Sequence, residues 1–496
     1  MPLRMGSAMS SIDIIVPKSA PRRWQEIVVA RLQADGHDIA VIHESGSNTW
    51  PATVNAVLSF ERRIFRRRDP ALAASLSQIP ASRRSRPAAL RLDLTGNIVP
   101  SDVPTIALNF DGFNSDLSVA MAIAAGTLPV IEAVLDGRTV IGRAWPMTDK
   151  RESVALGIED VLARAITLTV SVVHAFFENR LLLDEPISAA SKGPTGETAS
   201  FASTYLTAAL PRLGQEAMRR ARFRHAHWRV GYRFVDGPGV ASTHALGCGW
   251  SVLPDAGDRF YADPFPFQWR DRSFLFVEDY PHATGKAVIS VVPFDAAGAP
   301  QEPRCVLEEP YHLSYPQVFE RDGSIWMLPE ASSGGKLILY RATEFPDRWV
   351  PEAVLIDGEI SDATLLDHGG QLWLFATSRD GYGSTSDTLV VFHASRLAGP
   401  WRPHMLNPVL IDRHMARPGG AFVREGGGIY LPVQDGTLGY GGGLGISQLL
   451  QLDERTVRLS PPRPIAAHGD WPYPKIHTLN RSGRLEVIDG IAAVRK

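Results

Sequence analysis

Apolar positions along the first 180 residues change period repeatedly. Short apolar runs, IDIIVP (12–17), HDIAVIHE (37–44), ALRLDLTG (89–96) and PTIALNF (104–110), alternate with stretches of helical spacing, the first over Trp24 to Ala34. Two further strand-like runs, LPVIEAVLDG (128–137) and TVIGRAWPM (139–147), precede a long helix beginning near Arg151. Strands alternating with helices predict an α/β domain over residues 10–184 with a parallel sheet covered by helices. EPISAASKGPTGETAS (185–200) has no period and reads as a linker, followed by a basic helix to residue 224.

Beyond residue 250 the pattern becomes one of short strands separated by Gly and Pro turns. Five segments superimpose: RFYADPFPFQWRDRSFLFVED, HLSYPQVFERDGSIWMLPE, ISDATLLDHGGQLWLFATS, MARPGGAFVREGGGIYLPVQD and YPKIHTLNRSGRLEVIDG. Each opens on a polar cluster, continues as an apolar strand, turns through a charged or Gly-rich hairpin and returns as a second apolar strand. The openers, Asp263, Tyr315 with Gln317, Asp362, Arg417 and His477, recur about every 50 residues. That period, with about four strands per unit, predicts an all-β five-bladed propeller over residues 225–496. The first strand of each blade lines the axis, so the five openers should share one cavity.

Composition narrows the function. Apolar residues make up 44% and charged residues 21%, with 43 Gly and 37 Pro, as in a turn-rich globular protein. The net charge of −2 offers no attraction to nucleic acid or to an acidic membrane surface. Ala165 to Phe177 is apolar but shorter than the roughly 18 residues of a spanning helix, so it reads as a core helix and no membrane span is expected. Only Cys248 and Cys305 occur, which suits a reducing, cytoplasmic location, and the N-terminus lacks the apolar stretch of a secretion signal.

The motifs ADPFPF, HLSYPQVFERDG, WMLPE, SDATLL, GPWRPH, ARPGG, VQD and HTLN with VIDG, across roughly residues 240–490, resemble the N-terminal propeller domain of plant glucosamine inositolphosphorylceramide transferases and bacterial relatives. More distantly they are similar to the five-bladed propellers of glycoside hydrolase family 43. That resemblance implies a general-base Asp, a second Asp that tunes the acid, and a general-acid Glu; one carboxyl protonates the leaving oxygen while the other activates water. Asp263 matches the base and Asp362 the tuning Asp. At the acid position the chain has Arg417, whose fork can instead bind a carboxylate or phosphate. Glu330 and Glu278, each ending a second strand, are the alternative acids. Tyr315, Gln317, Arg417, Gln434, Asp435, Tyr440 and His477 make up the expected substrate-binding set. Tyr261, Phe265 and Trp326 are aromatic candidates for stacking or for blade packing. His477 matches the axial histidine of the hydrolase clan. No Cys/His pair has zinc-ligand spacing, so neither a transition metal nor another cofactor is expected.

The first domain resembles the formyltransferases that act on sugars and initiator tRNA, through IDIIVP, RLDLTG and ALNFDGF. Formyl transfer needs Asn, His and Asp together. No histidine lies between His43 and His174, which implies a degenerate relative. Asn109, Asp111 and Asp116 form a polar cluster at a strand end, where open α/β sheets bind ligands. The absence of G-x-G-x-x-G and of a P-loop excludes ordinary dinucleotide and ATP sites. The leading expectation is a protein acting on a glycan or glycosyl donor at the propeller mouth, in making or remodelling a surface polysaccharide or glycolipid. The rivals are a non-catalytic carbohydrate-binding scaffold and a sugar N-formyltransferase with a rearranged site.

Overall fold

A computed structural model describes residues 10–45, 50–67, 69, 71–97, 101–181, 198–224 and 226–496. They fall into two compact units, residues 1–218 with 381–384, and residues 219–380 with 385–496. The 185–200 linker lies for the most part outside the described residues. The basic helix expected after it is present as Leu210–Arg222.

The first unit is α/β. Its strands are β1 (Ser11–Pro17), β2 (Asp38–Glu44), β3 (Leu90–Asp93), β4 (Thr105–Phe110), β5 (Ile131–Leu135) and β6 (Thr139–Trp145), in sheet order β2-β1-β3-β4-β5-β6. The helices α1 (Arg23–Ala34), α2 (Ala52–Ile64), α3 (Leu117–Ala125) and α4 (Val154–Phe177) intervene. β2, β1, β3 and β4 are parallel, as expected. The remainder corrects the expectation of a wholly parallel sheet, because β4 pairs antiparallel with β5 and β5 with β6. The β5–β6 pairing follows from the Asp-Gly pair between them: Asp136 and Gly137 carry φ of +51° and +66°, the left-handed turn that joins a hairpin. α4 starts where the Ser153 hydroxyl accepts the Leu156 N–H at 3.2 Å, and most of its length is buried. Among the described residues no helix is long and apolar enough to cross a membrane.

The second unit is β almost throughout, a propeller-like succession of antiparallel sheets. One sheet runs over Arg259–Trp269, Arg272–Pro281, Val288–Pro293 and Arg304–Leu307, and the next over Ser314–Arg321, Ser324–Glu330, Lys336–Glu344 and Arg348–Asp357. Ile360–His368, Gln371–Ser378 and Thr388–Ala394 follow, then Arg417–Pro418, Gly428–Asp435 and Gly443–Leu452. The last sheet draws on both ends of the unit. Leu479–Ser482 pairs with Leu485–Ile491, which pairs in turn with Trp228–Phe234, from Leu485 opposite Phe234 to Ile491 opposite Trp228. Apolar residues between neighbouring sheets form the cores, as where Phe276 and Val291 of one sheet meet Met327 and Tyr340 of the next.

A single backbone device repeats where three of the sheets begin. Asp263, Tyr315 and Asp362 have φ of +46°, +47° and +50°, and pairing with the second strand breaks at each of them. Such a bulge leaves one residue unpaired and re-aims its side chain. For a tyrosine the left-handed conformation costs about 1–3 kcal/mol, so its surroundings must hold it.

Candidate functional site

The bulged residues and their counterparts in later sheets meet in two hydrogen-bonded clusters. The first is built on His477, which stands two residues ahead of its strand rather than within it. His477 Nδ1 lies 2.8 Å from Asp489 Oδ1, and its Nε2 lies 3.3 Å from Asp263 Oδ1. Asp489 Oδ1 also accepts the His477 and Thr478 N–H groups at 3.1 and 3.0 Å, and its Oδ2 accepts the Asp263 N–H at 3.2 Å. Trp228 lies over the His477 ring with centroids 4.0 Å apart. Burial opposes charge on His477, but Asp489 and Asp263 outweigh it and push the imidazole up to about 9.

Asp263 is left lopsided by these contacts. Thr478 Oγ1 donates to Oδ1 at 2.8 Å, and the His477 contact falls on the same oxygen. Among the described residues nothing hydrogen-bonds Oδ2, and that oxygen is not one of the sealed, unpartnered atoms. Burial raises this carboxyl to about 7; His477 pulls it down, while Asp362, Glu278 and Asp489 push it further up. A carboxyl near neutrality with one oxygen pinned and the other open is suited to taking or giving a proton.

The second cluster is closed. Arg417 donates from Nε to Asp362 Oδ2 at 2.6 Å and from Nη2 to Asp362 Oδ1 at 3.1 Å, a bidentate pair. Its remaining donors reach Glu330 Oε2 at 3.4 Å, Ser386 Oγ at 2.9 Å and Thr385 Oγ1 at 3.4 Å. All five guanidinium N–H groups therefore have acceptors within the chain. An anionic ligand would reach Arg417 only by displacing Asp362 or Glu330. Gln434 Nε2 adds a bond to Asp362 Oδ2 at 2.7 Å. Burial raises Asp362 to about 7 against the pull of Arg417. Glu330 is tied down further by Ser332 Oγ at 2.7 Å and the Asp362 N–H at 3.4 Å. Glu278 is less constrained. It sits opposite Ala262, the residue before Asp263, and one carboxylate oxygen lies 3.3 Å from His312 Nε2. Burial opposes the His312 charge, yet Glu278, Glu330 and Asp263 together hold its pKa above the usual value.

Of the other expected residues, Tyr440 sits at the rim, 45% exposed, with the Arg417 guanidinium 5.3 Å from its ring centroid and His477 at 5.5 Å. Tyr315 is wholly buried, and its hydroxyl accepts the Gly420 N–H at 2.7 Å and meets Thr364 Oγ1 at 2.9 Å. Gly420 has to be glycine there, since at φ +151° a Cβ would collide with the Leu479 carbonyl oxygen. Gln317 accepts the Leu365 N–H at 2.8 Å, stitching two sheets together. Asp435 caps the turn after its strand through the Thr437 N–H at 2.8 Å. Tyr261 and Phe265 are buried among blade-packing side chains, and Trp326 Nε1 bonds Arg321 O at the far hairpin. Asp489 and Thr478 were missed in the sequence. The signal for Asp489 was a carboxylate inside the apolar strand LEVIDGI. The polar atoms of Asp263, His477 and Asp489 lie within 4.8 Å of one another, with both ring nitrogens of His477 taken by the two carboxylates.

In the first unit the expected polar cluster does not converge. Asp116 accepts the indole N–H groups of Trp24 and Trp50 at 3.0 and 2.8 Å, Asn109 is buried, and Asp111 is exposed in a turn. His43 is held by Ile79 O at 2.9 Å and His174 lies 3.0 Å from Asp35.

Residues 241–460 match the family described as glucosamine inositolphosphorylceramide transferase 1, N-terminal. The second unit resembles that N-terminal domain. The Arabidopsis thaliana glucosamine inositolphosphorylceramide transferase 1 is 34% identical over 203 residues, 40% of this chain and 26% of that protein. Its counterpart from Oryza sativa subsp. japonica is 38% identical over 186 residues, 37% of this chain and 25% of that protein. This chain therefore spans about a quarter of the length of the curated relatives it matches. Among solved structures, a family 117 glycoside hydrolase from Zobellia galactanivorans aligns with 53% of this chain and 90% of its own, at 10% identity and a TM-score of 0.35. An α-L-arabinanase from Cellvibrio cellulosa aligns with 47% and 85%, at 17% identity and a TM-score of 0.32. The architecture described above rests on the sheet order of this chain itself.

Proposed function

We propose that the second unit is a five-bladed propeller acting on a glycan or glycosyl donor at its mouth, with Asp263 as the group that moves a proton. The observation that carries this reading is the free Asp263 Oδ2 on a carboxyl raised to about 7. Its partner in our reading is Glu278, the nearby carboxylate that the Arg417 cluster leaves alone. Asp362 and Arg417 act as a fixed ion pair that holds the cavity's shape, and Tyr440 offers the ring face for a sugar. The curated relatives' names, glucosamine inositolphosphorylceramide transferase, support a place in glycolipid or surface-polysaccharide chemistry. The exposed free thiols of Cys248 and Cys305 support a reducing, cytoplasmic setting. The first unit reads as a degenerate formyltransferase relative serving as a scaffold, with His43 held by Ile79 O and His174 beside Asp35.

The test is turnover of aryl glycosides and nucleotide sugars, with saccharide affinity measured by calorimetry. Asp263→Asn should reduce turnover at least 100-fold with little change in affinity, and Glu278→Gln should do so by a smaller factor. Saccharide binding without turnover in the unaltered protein would favour the recognition scaffold. Unchanged turnover and affinity in Asp263→Asn would remove the mouth as the site.

A further inference from the structure

The two carboxyls that the Arg417 cluster leaves open are each met on one oxygen by a histidine. His477 Nε2 lies 3.3 Å from Asp263 Oδ1, and His312 Nε2 lies 3.3 Å from Glu278 Oε1. The second oxygen of Glu278, like that of Asp263, takes no hydrogen bond among the described residues and is not sealed off. Glu278 belongs to the strand Arg272–Pro281, and His312 stands two residues ahead of Ser314–Arg321 in the next sheet. The two carboxyl–imidazole pairs differ in what holds the far ring nitrogen.

His477 Nδ1 faces a carboxylate oxygen, Asp489 Oδ1, at 2.8 Å, so the proton of a neutral His477 sits on that side. Its Nε2 then turns a lone pair to Asp263, and a proton can rest on the Asp263 carboxyl. His312 Nδ1 instead accepts the backbone N–H of Ala287 at 3.2 Å. A ring nitrogen that accepts carries no proton, so a neutral His312 holds its proton on Nε2, towards Glu278. A charged His312 has protons on both nitrogens, and Nε2 again presents one to Glu278. In either state Glu278 Oε1 meets an N–H, which favours the ionised carboxylate. The Ala287 N–H also closes the far side of the ring, so His312 is a fixed donor and not a shuttle between Glu278 and solvent.

The other charges around these pairs agree with that asymmetry. Glu330 and Asp263 join Glu278 in favouring charge on His312, and the Tyr280 ring centroid lies 6.1 Å from it. Lys286, beside Ala287, is turned away to Glu308 Oε1 at 3.0 Å and Glu309 O at 2.6 Å. Burial raises Asp263 to about 7, with His477 pulling it down and Asp362, Glu278 and Asp489 pushing it further up.

We propose that His312 is a positioning residue that keeps Glu278 ionised as the proton acceptor and leaves Asp263 as the proton donor, an inference that rests on the mouth acting on a glycosidic bond. This reverses the role that the hydrolase resemblance implies for Asp263. In the step, the incoming hydroxyl oxygen bonds the anomeric carbon and gives its proton to Glu278 Oε2. The bond from that carbon to the leaving oxygen breaks, and the leaving oxygen takes the proton of Asp263 Oδ2. Exchange with water through the two open oxygens restores both carboxyls.

Two readouts separate this assignment from the reading beneath it. The first needs no substrate. By NMR of the full chain with isotope-labelled histidine, His312 is identified by the signals lost in His312→Gln, and its neutral ring should carry the proton on Nε2. Glu278→Gln should lower the His312 pKa by about one unit or more. A neutral ring protonated on Nδ1, or a titration indifferent to Glu278→Gln, would overturn the pairing. The second readout is the pH profile of kcat/KM on aryl glycosides and nucleotide sugars. In His312→Phe the acidic limb should move up by about one unit, with the alkaline limb in place and turnover on the acid side down roughly tenfold. His312→Gln keeps an N–H donor and should return the limb towards its original position. Movement of the alkaline limb instead would make Glu278 the donor and reverse the roles. A loss of turnover with both limbs fixed would reduce His312 to a packing residue. Absence of turnover in the unaltered protein would remove the roles together with the proposed function, and the histidine titration would still decide the pairing.

Discussion

Removing the guanidinium of Arg417 isolates the value of the closed cluster. In Arg417→Met, Asp362 remains 1% exposed and keeps only Gln434 as a donor to its carboxylate, facing Glu330. Breaking a buried ion pair from one side costs about 3–5 kcal/mol, because the surviving charge is left uncompensated. With a urea m-value of about 3 kcal/mol per molar, the unfolding midpoint of the second unit should fall by about 1–1.7 M. Burial already raises Asp362 to about 7, and losing the cation raises it further. A carboxyl raised in the folded state contributes stability below its unfolded pKa and loses it as pH rises through the folded value. The defect should therefore be widest above pH 7 and narrow towards pH 5. Adding Asp362→Asn removes the stranded charge, so the double variant should be more stable than the sum of the singles by about 2–3 kcal/mol. Tryptophan fluorescence across urea series at pH 5 and 8 reads all of this. A loss under about 1 kcal/mol in the single variant, or strict additivity in the double, would show that the pair is not a unit and that Arg417 is available to ligands.

In the unaltered protein, Asp263 and Asp362 at about 7 and His477 at about 9 all lie above their ordinary values. The sign is shared: the contribution is full below about pH 4, lost between about 4 and 7 by the carboxyls and between about 6.5 and 9 by the histidine. A urea midpoint that rises from pH 6 to pH 9 would contradict this. Tyr315→Phe leaves the buried Gly420 N–H without its acceptor and should cost about 1–3 kcal/mol, measured by the same unfolding curves, with saccharide affinity unchanged. A pure affinity loss would instead make Tyr315 a ligand residue.

The polar openers were legible in the sequence because each precedes an apolar strand at a steady spacing, and the ADP, SYP and SDA tripeptides mark the bulges that aim them. What they do once gathered was not legible. Arg417 looked like a free fork because its acceptors, Asp362, Ser386 and Glu330, are 31 to 87 residues away in the chain. Tyr315 looked like a sugar platform, yet strand alternation and the bulge turn it inward, where its hydroxyl satisfies a backbone donor. Glu278 and Glu330 ended similar strands and could not be ranked from spacing. The difference lies in their neighbours, since one meets His312 and the other is enclosed by Arg417, Ser332 and a backbone N–H. In the first unit, local turn chemistry at Asp136-Gly137 overrode the alternating pattern and reversed the last strands.

The sheet that joins residues 228–234 to 485–491 also sets the order in which the molecule can become functional. During synthesis, the sheets spanning residues 259 to 452 can form as they emerge, but Asp263 gains its orienting partners only when His477, Thr478 and Asp489 have left the ribosome. A nascent chain arrested before residue 477 would carry the Asp263 carboxyl without the Thr478, His477 and Asp489 contacts that orient it. Assembly of that cluster is thus tied to completion of translation past Asp489.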